Sequence, residues 1–407
     1  MKSYYYGLDV LRGLGIFMVI ILHSAFYFYH DLYSVDLNNP TPIITVIGFL
    51  LMFAGLFAMI SGLVYTLQYT NHKSPNTRIK AMLISALSLF IIAYLYFIFT
   101  GPGIVQFETQ SMDESILVGL INQQRFVGIT TERLFYVDSL VMLALNIALL
   151  AVCFKFVGYY FKTTKNPTYL LIFATIFLII SYLRIPLYPI YMNAKADNQW
   201  GLWLLLNWFV AKNNPIFPFF AFALYGSYFA LLLRLYNFKH IKLRIIPLAI
   251  IFVILGITGY ILAPETMLER EIDMTWYFIM VIQIGLFFGI ILGFLWFFDY
   301  RKKPLRIKAK FLSRFGVAGL TPFFFESVVS AIIFALITLF IPLELGIPGA
   351  LVFGTILALL WGVFLILWET KNYRYGIEWL HTHFVKTTGG STKRAKLEGD
   401  KLDSRDT

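Results

Sequence analysis

LDVLRGLGIFMVIILHSAFYFY, residues 8–29, is long and apolar enough to cross a bilayer as a helix, which takes about 20 residues. It also carries Asp9, Arg12 and His23, with His30 just past its end. A helix turns about 100° per residue, so the eleven steps from Arg12 to His23 return to roughly the same face. His30, seven steps further, falls close to that stripe, and Asp9, three before Arg12, can reach it along the same side. An ionisable side chain at membrane depth is costly and is a functional candidate by default. One face of this span therefore runs from an Arg near one mouth, past a His at depth, to a second His near the other mouth.

The rest of the chain extends the pattern. Of its 407 residues 59% are hydrophobic and only 14% charged, and mean hydropathy is +0.74. Soluble domains carry about a quarter charged residues, so the composition predicts a polytopic membrane protein. About ten spans are expected, near 10–29, 43–67, 81–100, 134–155, 168–187, 215–234, 245–263, 275–298, 319–341 and 348–368. The predicted fold class is an all-α membrane helix bundle. The first apolar run is long enough to span and no small-residue cleavage site follows it, so no cleavable signal is expected. The single Cys153 lies in an apolar span and excludes a disulfide framework or a thiolate metal site; it reads as a small hydrophobe. No metal is expected.

The net charge of +11 is better explained by topology than by nucleic acid. His72–Lys80 carries Lys73, Arg78 and Lys80; Lys155–Lys165 has three Lys; Arg234–Arg244 has four Lys or Arg; Arg301–Arg314 has seven. Between these lie acidic or balanced connections: His30–Pro42, Gly101–Arg133, Pro264–Met274 and Ile341–Pro348. Positive-inside bias then puts both termini in the cytoplasm. On that reading Arg12 is near the cytoplasmic face, and His23 lies about 16 Å deeper at 1.5 Å per residue.

Two outward connections are long. Gly101–Arg133 is polar with a short apolar stretch, Ile116–Ile121. Tyr188–Pro218 holds Trp200, Trp203 and Trp208 among leucines, a pattern for an interfacial helix or a cap over an outward cavity. Residues 1–370 are read as one transmembrane domain and 371–407 as a cytoplasmic tail. Its last stretch, Thr387–Thr407, is polar and expected to be disordered.

Several segments resemble one family in order along the chain. Leu8-Asp9-Val10-Leu11-Arg12-Gly13-Leu14 followed by His23 resembles the transmembrane acyltransferase superfamily. That group includes the acyltransferase-3 proteins, with an Arg-x10-His signature, and the heparan-α-glucosaminide N-acetyltransferase and YeiB-like (DUF418) branches. Phe57-Ala58-Met59-Ile60-Ser61-Gly62 looks like the small-residue element of their second span. Asn214-Pro215-Ile216-Phe217-Pro218-Phe219-Phe220 resembles their Pro-rich start of a mid-chain span. Gly319-Leu320-Thr321-Pro322-Phe323 resembles the late "LTxY" element, with Phe323 in place of Tyr. Tyr373-Arg374-Tyr375-Gly376-Ile377-Glu378-Trp379-Leu380 looks like the closing GPLEW box, whose Gly-Pro falls here on Tyr375-Gly376. YeiB-like members and the heparan enzyme often carry Asn at the place of His23, the heparan-type catalytic His lies nearer His30, and relatives commonly have Gln or His at Glu326.

The resemblance implies an integral membrane acyltransferase of the plasma membrane. It would move an acetyl or other short acyl group from cytoplasmic acyl-CoA to a sugar hydroxyl or amine on the other side. Its partners would be acetyl-CoA as co-substrate, a glycan or lipid-linked sugar acceptor and membrane lipids, with a second copy of the chain left open. Such transfer needs a base for the acceptor proton and a stabiliser for the tetrahedral oxyanion. An imidazole titrates near neutrality and suits the first task; it can also attack the thioester and carry the acyl group. His23 and His30 are the candidates, against the plainer readings of a structural His bonded to a neighbouring helix and a loop-mouth His. Arg12 could contact a CoA phosphate at the cytoplasmic side or pair with Asp9, against the plainer reading of positive-inside topology. Lys302, Lys303, Arg306 and Arg314 could attract those phosphates, although topology and anionic lipid explain the same run.

Asp138 and Arg184, near the outer ends of their spans, could form an ion pair or face the acceptor. Glu326 could orient a His as a supporting carboxylate. A buried structural pair is as good a reading for each. Gly55, Ser61 and Gly62 read as helix-packing residues. The rival from another class is a proton-coupled secondary transporter with a His relay, but the chain shows no inverted repeat and no paired Gly/Pro-broken segments.

Overall fold

The computed structural model describes residues 4–36, 40–107, 109–211, 213–263, 272–301 and 309–389. Among them, ten helical segments are long and apolar enough to cross a membrane: 6–27, 42–71, 75–100, 131–163, 168–196, 216–235, 238–262, 274–300, 320–338 and 347–369. Each falls on one of the ten spans expected from hydropathy.

In chain order, α1 (Tyr6–Tyr27) is the first span. The second is broken into α2 (Pro42–Leu51) and α3 (Ala54–Asn71). The third, α4 (Pro75–Leu95), ends in a widened π turn over Tyr96–Thr100. The long segment that follows is not only polar loop. It holds an antiparallel hairpin, β1 (Ile104–Gln106) with β2 (Ser111–Asp113), then α5 (Ile116–Gln123) and α6 (Thr131–Leu134). The fourth span is α7 (Ser139–Thr163). The fifth is α8 (Thr168–Ile180), a 3₁₀ turn and α9 (Arg184–Ala196). The tryptophan-rich segment forms α10 (Trp200–Val210), with Trp200 exposed and Trp203 buried. Next come α11 (Ile216–Leu235), α12 (Phe238–Leu262) and α13 (Met274–Leu295), which closes in a second π turn, Trp296–Tyr300. The amphipathic α14 (Lys310–Ala318) precedes α15 (Leu320–Thr338) and α16 (Ile347–Glu369). Finally α17 (Ile377–Gly389) folds where the sequence shows only a tail.

α11 is the centre of the bundle, buried without a break from Ile216 to Leu233. α12 lies outside it and presents Leu243, Ile246, Ile250, Ile254 and Leu255 to the surroundings. Lipid tails remove the hydrophobic drive between helices, so close packing depends on small residues at crossings. A Cβ on Gly62 would meet the Ala223 carbonyl, and one on Gly226 the Met59 carbonyl, so α3 and α11 cross backbone to backbone. α1 is gripped in the same way. Gly13 abuts Leu312 of α14, Gly316 abuts Asp9, and Gly354 of α16 abuts the Ile21 backbone. The N-terminus of α1 donates to the Asp299 carboxylate from Tyr6 N (3.1 Å) and Gly7 N (2.8 Å). These contacts fix the first span, and with it Arg12 and His23.

Candidate active site

α1 turns His23 toward α15. The His23 Nδ1 lies 2.5 Å from Glu326 Oε1, and the ring sits 6.3 Å from that of Phe323 one turn earlier on α15. Glu326 is only 2% exposed, whereas the His23 side chain retains 27% exposure. The carboxylate is thus sequestered and the imidazole accessible. Tyr96, in the π turn after α4, donates from its hydroxyl to the same Oε1 at 3.5 Å and packs against Phe323 and Phe324. The second carboxylate oxygen, Oε2, is buried without a hydrogen-bond partner. Asp138 lies within electrostatic reach of both His23 and Tyr96. Its Oδ1 accepts from Val141 N at 2.8 Å as the N-cap of α7, while Oδ2 is buried and unbonded. Four polar side chains from α1, α4's end, α7 and α15 therefore converge at one level of the bundle.

The segment between α4 and α7 packs against this end of α1. Tyr27, one turn beyond His23, donates to Glu114, which also accepts from Asn122 Nδ2 (2.7 Å) and Gln123 Nε2 (2.8 Å). Arg133 ties the segment down through the carbonyls of Phe97, Pro102 and Asp113. Tyr96, Tyr27 and Glu114 carry no signal in the sequence. They are one tyrosine pair among 25 and one acid in a long loop.

At the other end of α1, Arg12 Nη1 donates to the Gly316 carbonyl (3.1 Å) and lies 3.5 Å from Asp9 Oδ1. Its side chain is still 35% exposed. Asp9 also accepts from the Tyr4 hydroxyl at 2.5 Å. The helix between Arg12 and His23 is unbroken, so the two stay on one face about 16 Å apart.

His30 is placed differently from the stripe that the spacing suggests. α1 ends at Tyr27, and His30 sits in an exposed turn, its N–H donating to Leu345 O at 3.0 Å. Asp138 and Arg184 do not pair. Arg184 is fully buried, donates to the Val210 and Ala211 carbonyls that end α10, and stacks 4.0 Å over Trp276. Arg314 donates to Glu369 Oε2 from Nε (3.0 Å) and Nη2 (2.8 Å). Lys302, Lys303 and Arg306 lie outside the described residues, as does the tail beyond residue 389. Gly55 and Gly62 pack against α11, through Phe222 and Ala223. Among the described residues no group of three or more His, Cys, Asp or Glu could hold a metal ion.

Two recurring elements also meet in space. Glu378, in the closing box, accepts from Thr321 N (2.7 Å) and Thr321 Oγ1 (2.6 Å) of the late element, and Thr321 Oγ1 accepts from Ile377 N. Burial pushes the Glu378 carboxyl above the usual carboxylate range. His381, one turn on, lies between Ser85 and Ser88 of α4 at 3.1 and 3.0 Å, and burial lowers its pKa to about 4.

No curated protein and no solved structure matches the chain. The family model described as an acyltransferase domain matches residues 5–368, a stretch that covers all ten spans but the last residue of the tenth, and the whole polar cluster. The chain therefore belongs to the acyltransferase-3 family and is a multi-pass integral membrane acyltransferase.

Proposed function

We propose that this acyltransferase takes an acetyl or other short acyl group from acyl-CoA at the Arg12 end. It delivers the group near His23 to a sugar hydroxyl or amine arriving from the His30 end. The observation that carries the reading is the 2.5 Å contact between His23 Nδ1 and the sequestered Glu326 Oε1. A carboxylate on one ring nitrogen holds the ring and its tautomer, so the opposite nitrogen is the basic one. That nitrogen would take the acceptor proton as the hydroxyl or amine attacks the thioester carbonyl; the thiolate then leaves with the proton as CoA. Glu326 would stabilise the imidazolium formed between these events. Asp138, unbonded at one oxygen, would receive the acceptor's hydroxyls, and Tyr96 would steady Glu326. Arg12 would hold donor phosphate.

With basic loops facing the cytoplasm, this geometry keeps CoA on one side of the plasma membrane and the acceptor on the other. His30, exposed and distant from Glu326's partner, would serve the outer mouth, and Arg184 would position α10. The test is saturable acetyl-CoA binding by the detergent-purified full chain. Binding should weaken about tenfold in Arg12→Ala, the loss of roughly one charge-assisted contact. His23→Ala should bind donor yet transfer nothing. A well-folded wild type that ignores acetyl-CoA would overturn the donor assignment.

A further inference from the structure

Immediately after α16, the turn from Thr370 to Gly376 is built in an unfavourable backbone. Asn372, Tyr373 and Tyr375 all take left-handed conformations, with φ of 52°, 49° and 67°. An L side chain disfavours that region, and such residues persist only where their surroundings impose them. Here they are imposed. The N–H groups of Lys371, Asn372 and Tyr373 donate back to the last turn of α16, and Trp368 Nε1 donates to Arg374 O at 3.1 Å. Beyond the turn, α17 is pinned by Glu378 on Thr321.

The turn borders an open surface groove of about 390 Å³ lined by Trp368, Thr370, Lys371, Asn372, Arg374 and Tyr375. That volume is within the roughly 300–1,000 Å³ of small-molecule sites. The side chains of Lys371 and Arg374 have no hydrogen-bond or ion-pair partner among the described residues. The adjacent carboxylate, Glu369, is already held by Arg314 at 2.8 Å and Lys310 at 3.8 Å. Tyr375 is 81% exposed, its ring 5.3 Å from Trp379. Both cations are exposed and free to receive an anion, and a guanidinium with a lysine suits phosphate. Exposed aromatic faces suit a flat base that stacks. Membrane anchoring also uses exposed rings and cations, but it does not require three side chains in left-handed backbone.

The cleft opens at the Arg12 end. Arg12 bonds the Gly316 carbonyl of α14, and Arg314 of the same helix bonds Glu369 at the start of the turn. It lies just past residue 368, where the family match stops.

We propose that this cleft binds the phosphorylated nucleotide end of the donor. Lys371 and Arg374 would hold phosphate and Tyr375 would stack on the base. The proposal rests on the acyl-CoA reading above and names where the far end of that molecule sits.

The test uses the full chain in detergent with adenosine 3′,5′-bisphosphate as the probe. Wild type should bind it, and the double variant Lys371→Gln/Arg374→Gln should lose at least tenfold in affinity with an unchanged unfolding midpoint. Tyr375→Gly relieves a left-handed side chain, so its unfolding midpoint should rise while bisphosphate affinity falls about tenfold. A structural role for the tyrosine would move both in the same direction and would overturn the stacking assignment. If the double variant binds bisphosphate and coenzyme A as well as wild type does, the cleft assignment falls and the donor reading stands. If wild type binds bisphosphate through these residues but neither coenzyme A nor acetyl-CoA, the cleft stands and the donor reading falls. If bisphosphate does not bind, and the same two residues instead retain phosphatidylglycerol in nanodiscs, the occupant is a lipid headgroup and the proposal fails.

Discussion

His23 and Glu326 show how a buried carboxylate becomes useful in a membrane. An isolated charge at this depth costs several kcal/mol, and pairing within hydrogen-bond distance removes much of that cost. Glu326 is shielded from all sides while His23 keeps an open flank. In the proposed reaction the pair would orient a base without blocking it. Substituting Glu326→Gln preserves shape and one hydrogen bond but removes the charge. Turnover should fall about 10- to 100-fold, the usual effect of losing a supporting partner. The KM for donor should stay within about twofold, since Arg12 and the nucleotide cleft lie elsewhere. Steady-state kinetics of transfer check this, and a rise in KM with kcat intact would assign Glu326 to substrate binding instead. Asp138 teaches a different lesson at the same scale. One oxygen caps α7, worth about 1 kcal/mol, while the other is left over. Asn146 Oδ1 and Gln283 Oε1 are left over in the same way, so it is the nearness to His23 that makes Asp138 the one proposed for substrate.

Among the elements, α1 is held by glycine crossings as well as by its buried apolar residues. Gly13 against Leu312, Gly316 against Asp9 and Gly354 against Ile21 let three backbones meet where Leu or Val would hold them apart. Asp299 then accepts the first N–H groups of the helix, which have no partner inside it. Gly13→Val and Gly316→Val should each lower the unfolding midpoint strongly, as overpacking costs about 1–3 kcal/mol and here meets backbone rather than a flexible side chain. Gly128→Ala and Gly201→Ala face open space and should leave it unchanged. Thermal unfolding in detergent separates the two pairs; equal effects would mean that the α1 crossing is not what holds the span. The break in the fifth span, Ser181–Leu183, falls where Pro186 lacks the N–H that the Tyr182 carbonyl would accept and crowds that carbonyl, and Ser181 Oγ bonds back to the Phe177 carbonyl at 2.8 Å; nothing in the structure explains the break at Met52–Phe53 in the second span.

For the whole molecule, α17 ties the third span to the ninth. Glu378 caps α15 through Thr321, and His381 wedges between Ser85 and Ser88. Docking should then depend on pH. His381 is held neutral when docked, with its pKa lowered to about 4 from 6.5. The undocked form binds the extra proton between those values, so docking is intact above about pH 6.5 and weakens as pH falls toward 4. The full shift corresponds to about 3 kcal/mol. Glu378, the other titrating group at this contact, is raised, so its protonation favours docking as pH falls and opposes the effect at the acid end of the window. Hydrogen-exchange protection of residues 377–389 should drop from pH 7 to pH 5 in wild type. In His381→Gln that drop should vanish. Unchanged protection in wild type would show that His381 does not control the contact.

Hydropathy and length alone place all ten spans, because the bilayer acts as a solvent that reads each stretch of about 20 residues locally. The ionisable face of α1 is equally legible, since helical geometry converts the eleven-residue spacing into a stripe without help from the rest of the chain. Tertiary structure decided everything that depends on a second helix. Which histidine has a carboxylate partner rests on Glu326, 303 residues away. His30 leaves the stripe because α1 ends at Tyr27, and no residue near that end announces the stop. Arg184 and Arg314, candidates by charge alone, are occupied by the α10 carbonyls and by Glu369. The left-handed turn and α17 were hidden for the same reason. Their conformations are imposed by contacts between residues far apart in sequence, and a local pattern cannot record such contacts.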